Sequence, residues 1–167
     1  MKNIVLVGFM GVGKSATGRL LAERLNREFL ELDEIIEKKE KLNIAQIFEK
    51  KGEAYFRKVE KEVVKESVTH KAVIISAGGG AIIDEGNFKN LKENGIIVSL
   101  KASPDVILKR VKGLSTRPLL NVPDPKKKIE ELLAKREQYY NKADFSVDTD
   151  NLSVEEVVEK IIEIAIK

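Results

Sequence analysis

The run Gly8-Phe9-Met10-Gly11-Val12-Gly13-Lys14-Ser15 fits the pattern G-x-x-x-x-G-K-[ST]. Each fixed residue type has a chemical reason. Glycines let backbone N–H groups turn inward and surround phosphate oxygens without Cβ clashes. A helix starting near Lys14 aims the positive end of its dipole at the same anion. The Lys14 ammonium can reach β and γ phosphates, and the Ser15 hydroxyl can ligate a Mg²⁺ ion carried by a nucleoside triphosphate. Gly11, Val12, Gly13, Lys14, Ser15 and Ala16 are therefore the candidate phosphate cradle.

Five further groups could act on a second, anionic substrate. Asp33 stands at the end of an apolar run in FLELDEII, and Arg57 lies in GEAYFRKVE with Glu60 one helical turn later. Gly78-Gly79-Gly80 follows another apolar run in IISAGGGAI, Arg117 sits in TRPLL, and Arg136 in AKREQYY. Guanidinium forks suit a planar carboxylate or a phosphate better than ammonium groups do. Taken singly, Asp33 also suits a helix N-cap, and Arg57 a surface pair with Glu60. Asn141-Lys142-Ala143-Asp144 spells the N-K-x-D of guanine readers. It follows a helical pattern rather than ending an apolar strand, and no D-x-x-G accompanies it. ATP is the expected nucleotide.

Short apolar runs alternate with amphipathic stretches, and these must position the groups just named. Residues 3–7, 29–32, 72–76, 96–100 and 145–147 read as strands, several of them near-continuous apolar runs, as in a parallel sheet buried on both faces. Helical patterns cover residues 14–26, 33–40, 44–50, 53–69, 84–93, 104–111, 126–140 and 154–166. Ser103-Pro104 and Asp124-Pro125 each set a polar cap before a proline at the first helical position. Ser153-x-x-Glu156 forms a capping box, and Gly95 suits a left-handed helix end. The alternation implies an α/β fold with helices on both faces of the sheet. Residues 112–125 hold three of the four prolines, too irregular for a routine connection, and are expected to form a lid.

Taken together, the phosphate loop, strand-end Asp33, F-R-x-x-E, triple glycine, R-P-L-L and R-x-x-x-Y resemble the shikimate kinases along nearly the whole chain. That resemblance implies a three-layer P-loop fold with a five-stranded parallel sheet, of the nucleoside-monophosphate-kinase type, with a mobile lid. It implies transfer of the γ-phosphoryl of ATP to the 3-hydroxyl of shikimate, with one Mg²⁺ per subunit. It casts Asp33 as the hydroxyl-binding carboxylate and candidate base, and Arg57 and Arg136 as the carboxylate grip. Glu60 would orient Arg57, and the Gly78–Gly80 backbone would approach the substrate, Gly79 most directly. Lys14 and Arg117 would serve the transferred phosphoryl, and Arg110 would stack on adenine. Ser15 would ligate Mg²⁺, with Glu31 and Ser76 acting through water. Glu31 is a departure, since the family often has Asp there; another is the late loop TDNLSVEE, which lacks a basic residue. The nearest rival on the same fold is a gluconate kinase.

Composition sets the remaining bounds. The chain has 167 residues, read as one domain, with 43% hydrophobic and 34% charged residues and a net charge of +3. So small a surplus over a mixed surface gives no nucleic-acid footprint. With no Cys and a single His, His70, neither a disulfide framework nor a thiolate metal site is available. No apolar run has the length of a membrane span, and a cytoplasmic monomer acting on small molecules is expected.

Overall fold

In the computed structural model, which describes residues 1–112 and 122–166, the chain wraps five strands into one parallel sheet. The strands are β1 (Asn3–Val7), β2 (Phe29–Glu31), β3 (Ile74–Ser76), β4 (Gly95–Lys101) and β5 (Phe145–Asp148), in the order β2-β3-β1-β4-β5. All four ladders are parallel. β1 lies at the centre, and Ile4, Val5, Leu6 and Val7 are wholly buried, which is why this strand carries no alternation.

The helices are α1 (Lys14–Leu25), α2 (Leu32–Glu40), α3 (Ile44–Lys51), α4 (Glu53–Ser67), α5 (Glu85–Glu93), α6 (Pro104–Val111), α7 (Pro125–Tyr140) and α8 (Val154–Ala165). A 3-10 turn, Ala81–Ile83, precedes α5. α1 packs on α8, and α4 on α2, α3 and α5, while α6 packs on α7. The N-terminal caps read from sequence form as expected. Ser103 and Asp124 accept from the backbone N–H three residues on, and Ser153 with Glu156 closes a reciprocal box.

Most boundaries shift from the sequence reading by one or two residues, and three of the differences have a visible cause. Leu32 belongs to α2 rather than to β2: the chain turns helical directly after its cap, Glu31, with the Leu32 side chain buried in the core. β3 begins at Ile74, since Ala72 takes a left-handed φ of 57° that no strand accommodates. Gly95 is the first residue of β4 and not a left-handed cap; Asn94 ends α5 with φ −117°. Glycine is needed there for space: a Cβ would meet the Leu91 carbonyl oxygen at 2.5 Å. Of the expected lid, residues 113–121 lie outside the described residues, and Arg117 with them.

The register carries the site. Leu6 pairs with Ser76, and Ser76 with Glu31, so β1, β3 and β2 end at one level. The phosphate loop, the triple glycine and the start of α2 all leave the sheet along this carboxyl edge, where open α/β sheets hold their ligands.

Candidate active site

The phosphate loop runs from the end of β1 into α1. Gly13, with φ 97°, caps α1 without any side-chain acceptor for the first-turn N–H groups. That turn is therefore left to an anion. Lys14, almost fully buried, lies across the loop, and its Nζ donates to the Gly8 and Phe9 carbonyls at 2.7 and 3.0 Å. Gly11, Gly13, Lys14, Ser15 and Ala16 line a cleft of about 200 Å³ that also includes Glu31, Asp33, Gly78 and Gly79. The Val12 side chain is buried, so only its backbone can serve a ligand. Its N–H turns to the Phe9 carbonyl.

The triple glycine is the hub of the second half. A Cβ at Gly78 would lie 2.8 Å from Asp33 Oδ1 and 3.4 Å from Glu60 Oε2. One at Gly79 would stand 3.3 Å from Arg136 Nη1 and 3.6 Å from the Met10 nitrogen of the phosphate loop. One at Gly80 would meet Arg57 Nη2 at 2.6 Å. Three consecutive missing side chains thus make room for a carboxylate and two guanidinium groups. Asp33 is the second residue of α2, whose cap is Glu31, so the N-cap reading of Asp33 does not hold.

Each arginine is oriented by neighbours. Arg57 Nη1 donates to Glu60 Oε1 at 2.9 Å, one turn along α4. Burial of Glu60 raises its pKa above the ordinary carboxylate range, although Arg57 and, more weakly, Arg136 pull it down. Arg136 is buried on α7 with its guanidinium carbon 5.5 Å from the Phe9 ring centroid. Arg110 donates to the Gly11 carbonyl at 3.1 Å and to Thr149 Oγ1 at 3.3 Å.

A candidate cation corner sits between β2, β3 and α1. Ser15 Oγ donates to Glu31 Oε2 at 2.6 Å. Burial raises the Glu31 pKa, with the Ser15 and Ser76 hydroxyls offsetting it in part. The Ser76 hydroxyl is fully buried yet makes no well-formed hydrogen bond. Hard oxygen donors of this kind suit Mg²⁺. No group of three or more His, Cys, Asp or Glu gathers among the described residues. A bound Mg²⁺ would thus have to draw ligands from phosphate and water, as that ion usually does.

One residue escaped the sequence reading, and a second stood in a motif without a role of its own. Thr149, in the late loop, bonds to Val12 and Lys101 carbonyls and to Arg110, tying that loop to the phosphate loop. A lone Thr before Asp-Asn gives no signal of this. Tyr140 donates to the Gly79 carbonyl at 2.6 Å. Its signal was present, four residues after Arg136 and so on the same helix face. Asp144 of the N-K-x-D run instead accepts from the Ile97 N–H at 2.8 Å and pairs with Lys92, which is a structural duty.

A model of the family described as shikimate kinase matches residues 10–165. The chain belongs to the shikimate kinase family. It is 48% identical over 162 residues to a shikimate kinase from Thermodesulfovibrio yellowstonii, covering 97% of this chain and 94% of that one. It is 45% identical over 167 residues to one from Caldanaerobacter subterraneus subsp. tengcongensis, covering 100% and 98%. A solved shikimate kinase from Acinetobacter baumannii in complex with shikimate superposes with a TM-score of 0.96 at 40% identity, covering 99% of this chain and 93% of that one. Family membership makes the chain an ATP-dependent kinase of the shikimate pathway on a P-loop fold, and removes the gluconate kinase alternative. Among the described residues no helix is long and apolar enough to cross a membrane.

Proposed function

We propose that the chain moves the γ-phosphoryl of ATP to the 3-hydroxyl of shikimate across the cleft between the phosphate loop and the triple glycine. The observation carrying this assignment of residues is the hub itself. Gly78, Gly79 and Gly80 leave room in turn for Asp33, Arg136 and Arg57, with Met10 of the phosphate loop 3.6 Å from the Cβ position of Gly79.

ATP docks its phosphates on Gly11–Ser15, with Lys14 exchanging loop carbonyls for phosphate oxygens. Arg57 and Arg136 grip the shikimate carboxylate, Glu60 holding Arg57 in place. Asp33 orients the 3-hydroxyl and takes its proton late. A loose phosphoryl transition state rewards positioning and charge neutralisation over base strength. Arg117 neutralises the transferred group from the lid, and Arg110 stacks on adenine. Ser15, with Glu31 and Ser76 through water, would hold a Mg²⁺ ion, which would supply charge neutralisation to the phosphates. The test is ADP release with and without shikimate, and with Mg²⁺ present or chelated. Release that requires both supports the reading; release indifferent to shikimate sinks it.

A further inference from the structure

α7 brings a second group to the triple glycine besides Arg136. Tyr140, one turn later, is 5% exposed, and its phenol donates to the Gly79 carbonyl at 2.6 Å. The contact joins residues 61 apart in sequence, so it is tertiary and not part of a local turn. Burial raises the Tyr140 pKa, which keeps the phenol protonated and a donor. The ring shares an apolar cavity wall with Phe9 of the phosphate loop, the residue under the Arg136 guanidinium.

The Gly79 carbonyl lies in the peptide plane shared with the Gly80 N–H. In a trans peptide the two point in opposite directions, and the chain has no cis bond among the described residues. Fixing that oxygen therefore fixes where the Gly80 N–H aims. Glycine on both sides leaves the plane otherwise loosely constrained. The turn's own bonds, Ala81 N–H to the Gly78 carbonyl and Ile83 N–H to the Gly80 carbonyl, hold its flanks rather than this plane. The same bond sets the distance between α7 and the turn, and hence the seat of Arg136 against Gly79.

We propose that Tyr140 is a positioning residue for the acceptor substrate, locking the Gly79–Gly80 peptide plane and the Arg136 guanidinium in one arrangement. This rests on the reading of Gly79 and Arg136 as part of the shikimate grip. The phenol acts through those two groups and touches no reacting atom.

The test compares Tyr140→Phe, which removes one oxygen, with Tyr139→Phe and Arg136→Lys in steady-state kinetics and thermal melts. The expected result for Tyr140→Phe is a shikimate KM raised about five- to tenfold, the size of one hydrogen bond, with kcat and the ATP KM within about twofold. Tyr139→Phe should leave all three parameters unchanged. If Arg136→Lys raises the shikimate KM and Tyr140→Phe does not, the positioning role is wrong while the grip stands. If neither raises it, the grip reading fails and takes this proposal with it. A Tyr140→Phe variant that melts lower and loses both substrates equally has a general structural role, which also overturns the proposal. Should that variant not fold, 19F NMR of the wild-type chain labelled with 3-fluorotyrosine replaces it. Shikimate must then shift the Tyr140 resonance and ADP alone must not; a resonance that ignores shikimate refutes the role.

Discussion

Gly80→Ala perturbs one arginine and little else. Gly80 has φ −101° and ψ −2°, in the bridge region that is open to alanine, so no left-handed backbone opposes the change. The new Cβ would stand 2.6, 2.8 and 3.0 Å from Arg57 Nη2, Nη1 and Cζ. Ordinary contact requires about 3.5 Å, so the guanidinium must retreat by roughly 1 Å. A 2.9 Å bond to Glu60 stretched that far is no longer a hydrogen bond. A charge-assisted bond to substrate is worth about 1.5–3 kcal/mol, and Arg57 is 30% exposed, which favours the lower end. The expected shikimate KM is therefore raised about tenfold. The ATP KM should be unchanged, because the phosphate loop is not touched. A coupled ADP-release assay at saturating ATP reads the effect, and a thermal melt checks the fold. A shikimate KM within twofold of wild type, in a variant that melts normally, would refute the steric link between the third glycine and the substrate grip.

Other perturbations separate the remaining roles. Asp33→Asn should lower turnover by about a hundredfold or more while the ATP KM stays near normal; near-normal turnover removes the carboxylate from the chemistry. Arg117→Ala should lower turnover on the order of a thousandfold, as for other arginines that neutralise a transferred phosphoryl, and a loss below tenfold would place it outside the transition state. Glu60 titrates above the usual carboxylate range because it is buried. With its folded pKa raised, its contribution to stability is complete below its unfolded pKa and is lost as the pH rises through the folded one. Its hold on Arg57 runs the other way and weakens on acidification. Shikimate KM should climb as pH falls through that raised pKa, and Glu60→Gln should flatten the profile. Parallel profiles for the two proteins between about pH 5 and pH 8 would exclude Glu60 as the group responsible.

How much the chain reveals without its structure follows from how local each signal is. The phosphate loop needs its glycines, Lys14 and Ser15 within eight residues, so motif and geometry coincide. The strands around it are buried on both faces and announce themselves as near-continuous apolar runs. The helix caps are equally local, each a side chain meeting a backbone N–H three residues on. Gly95 misled because glycine answers two needs, a left-handed φ and a close approach, and only the neighbouring Leu91 carbonyl and Val5 side chain distinguish them. Leu32 misled because an apolar residue beneath a helix and one on a strand look alike over so short a run. Thr149 and Tyr140 act through tertiary bonds whose partners are far along the chain: the R-x-x-x-Y spacing places Tyr140 on the face of Arg136, but no spacing names Gly79 as its partner, and none marks Thr149 at all.

The triple glycine shows why resemblance could name the second half of the site while spacing alone could not assemble it. Asp33, Arg57 and Arg136 come from α2, α4 and α7, three helices that meet only because β2, β3 and β1 end level with one another. That level is a matter of register: Glu31 opposite Ser76, and Ser76 opposite Leu6. Each glycine then admits a different charged group, so a methyl at any one position should injure a different contact. Gly78 faces Asp33, Gly79 faces Arg136, and Gly80 faces Arg57. Two of the three groups are cationic, and Glu60 stays beside them despite its burial. Without that second carboxylate, two guanidinium groups would converge on one turn with Asp33 alone to oppose their repulsion. Burial raises the pKa of Glu60, and Arg57 and, more weakly, Arg136 offset that rise, so the carboxylate and the two guanidinium groups support one another's charge at this turn.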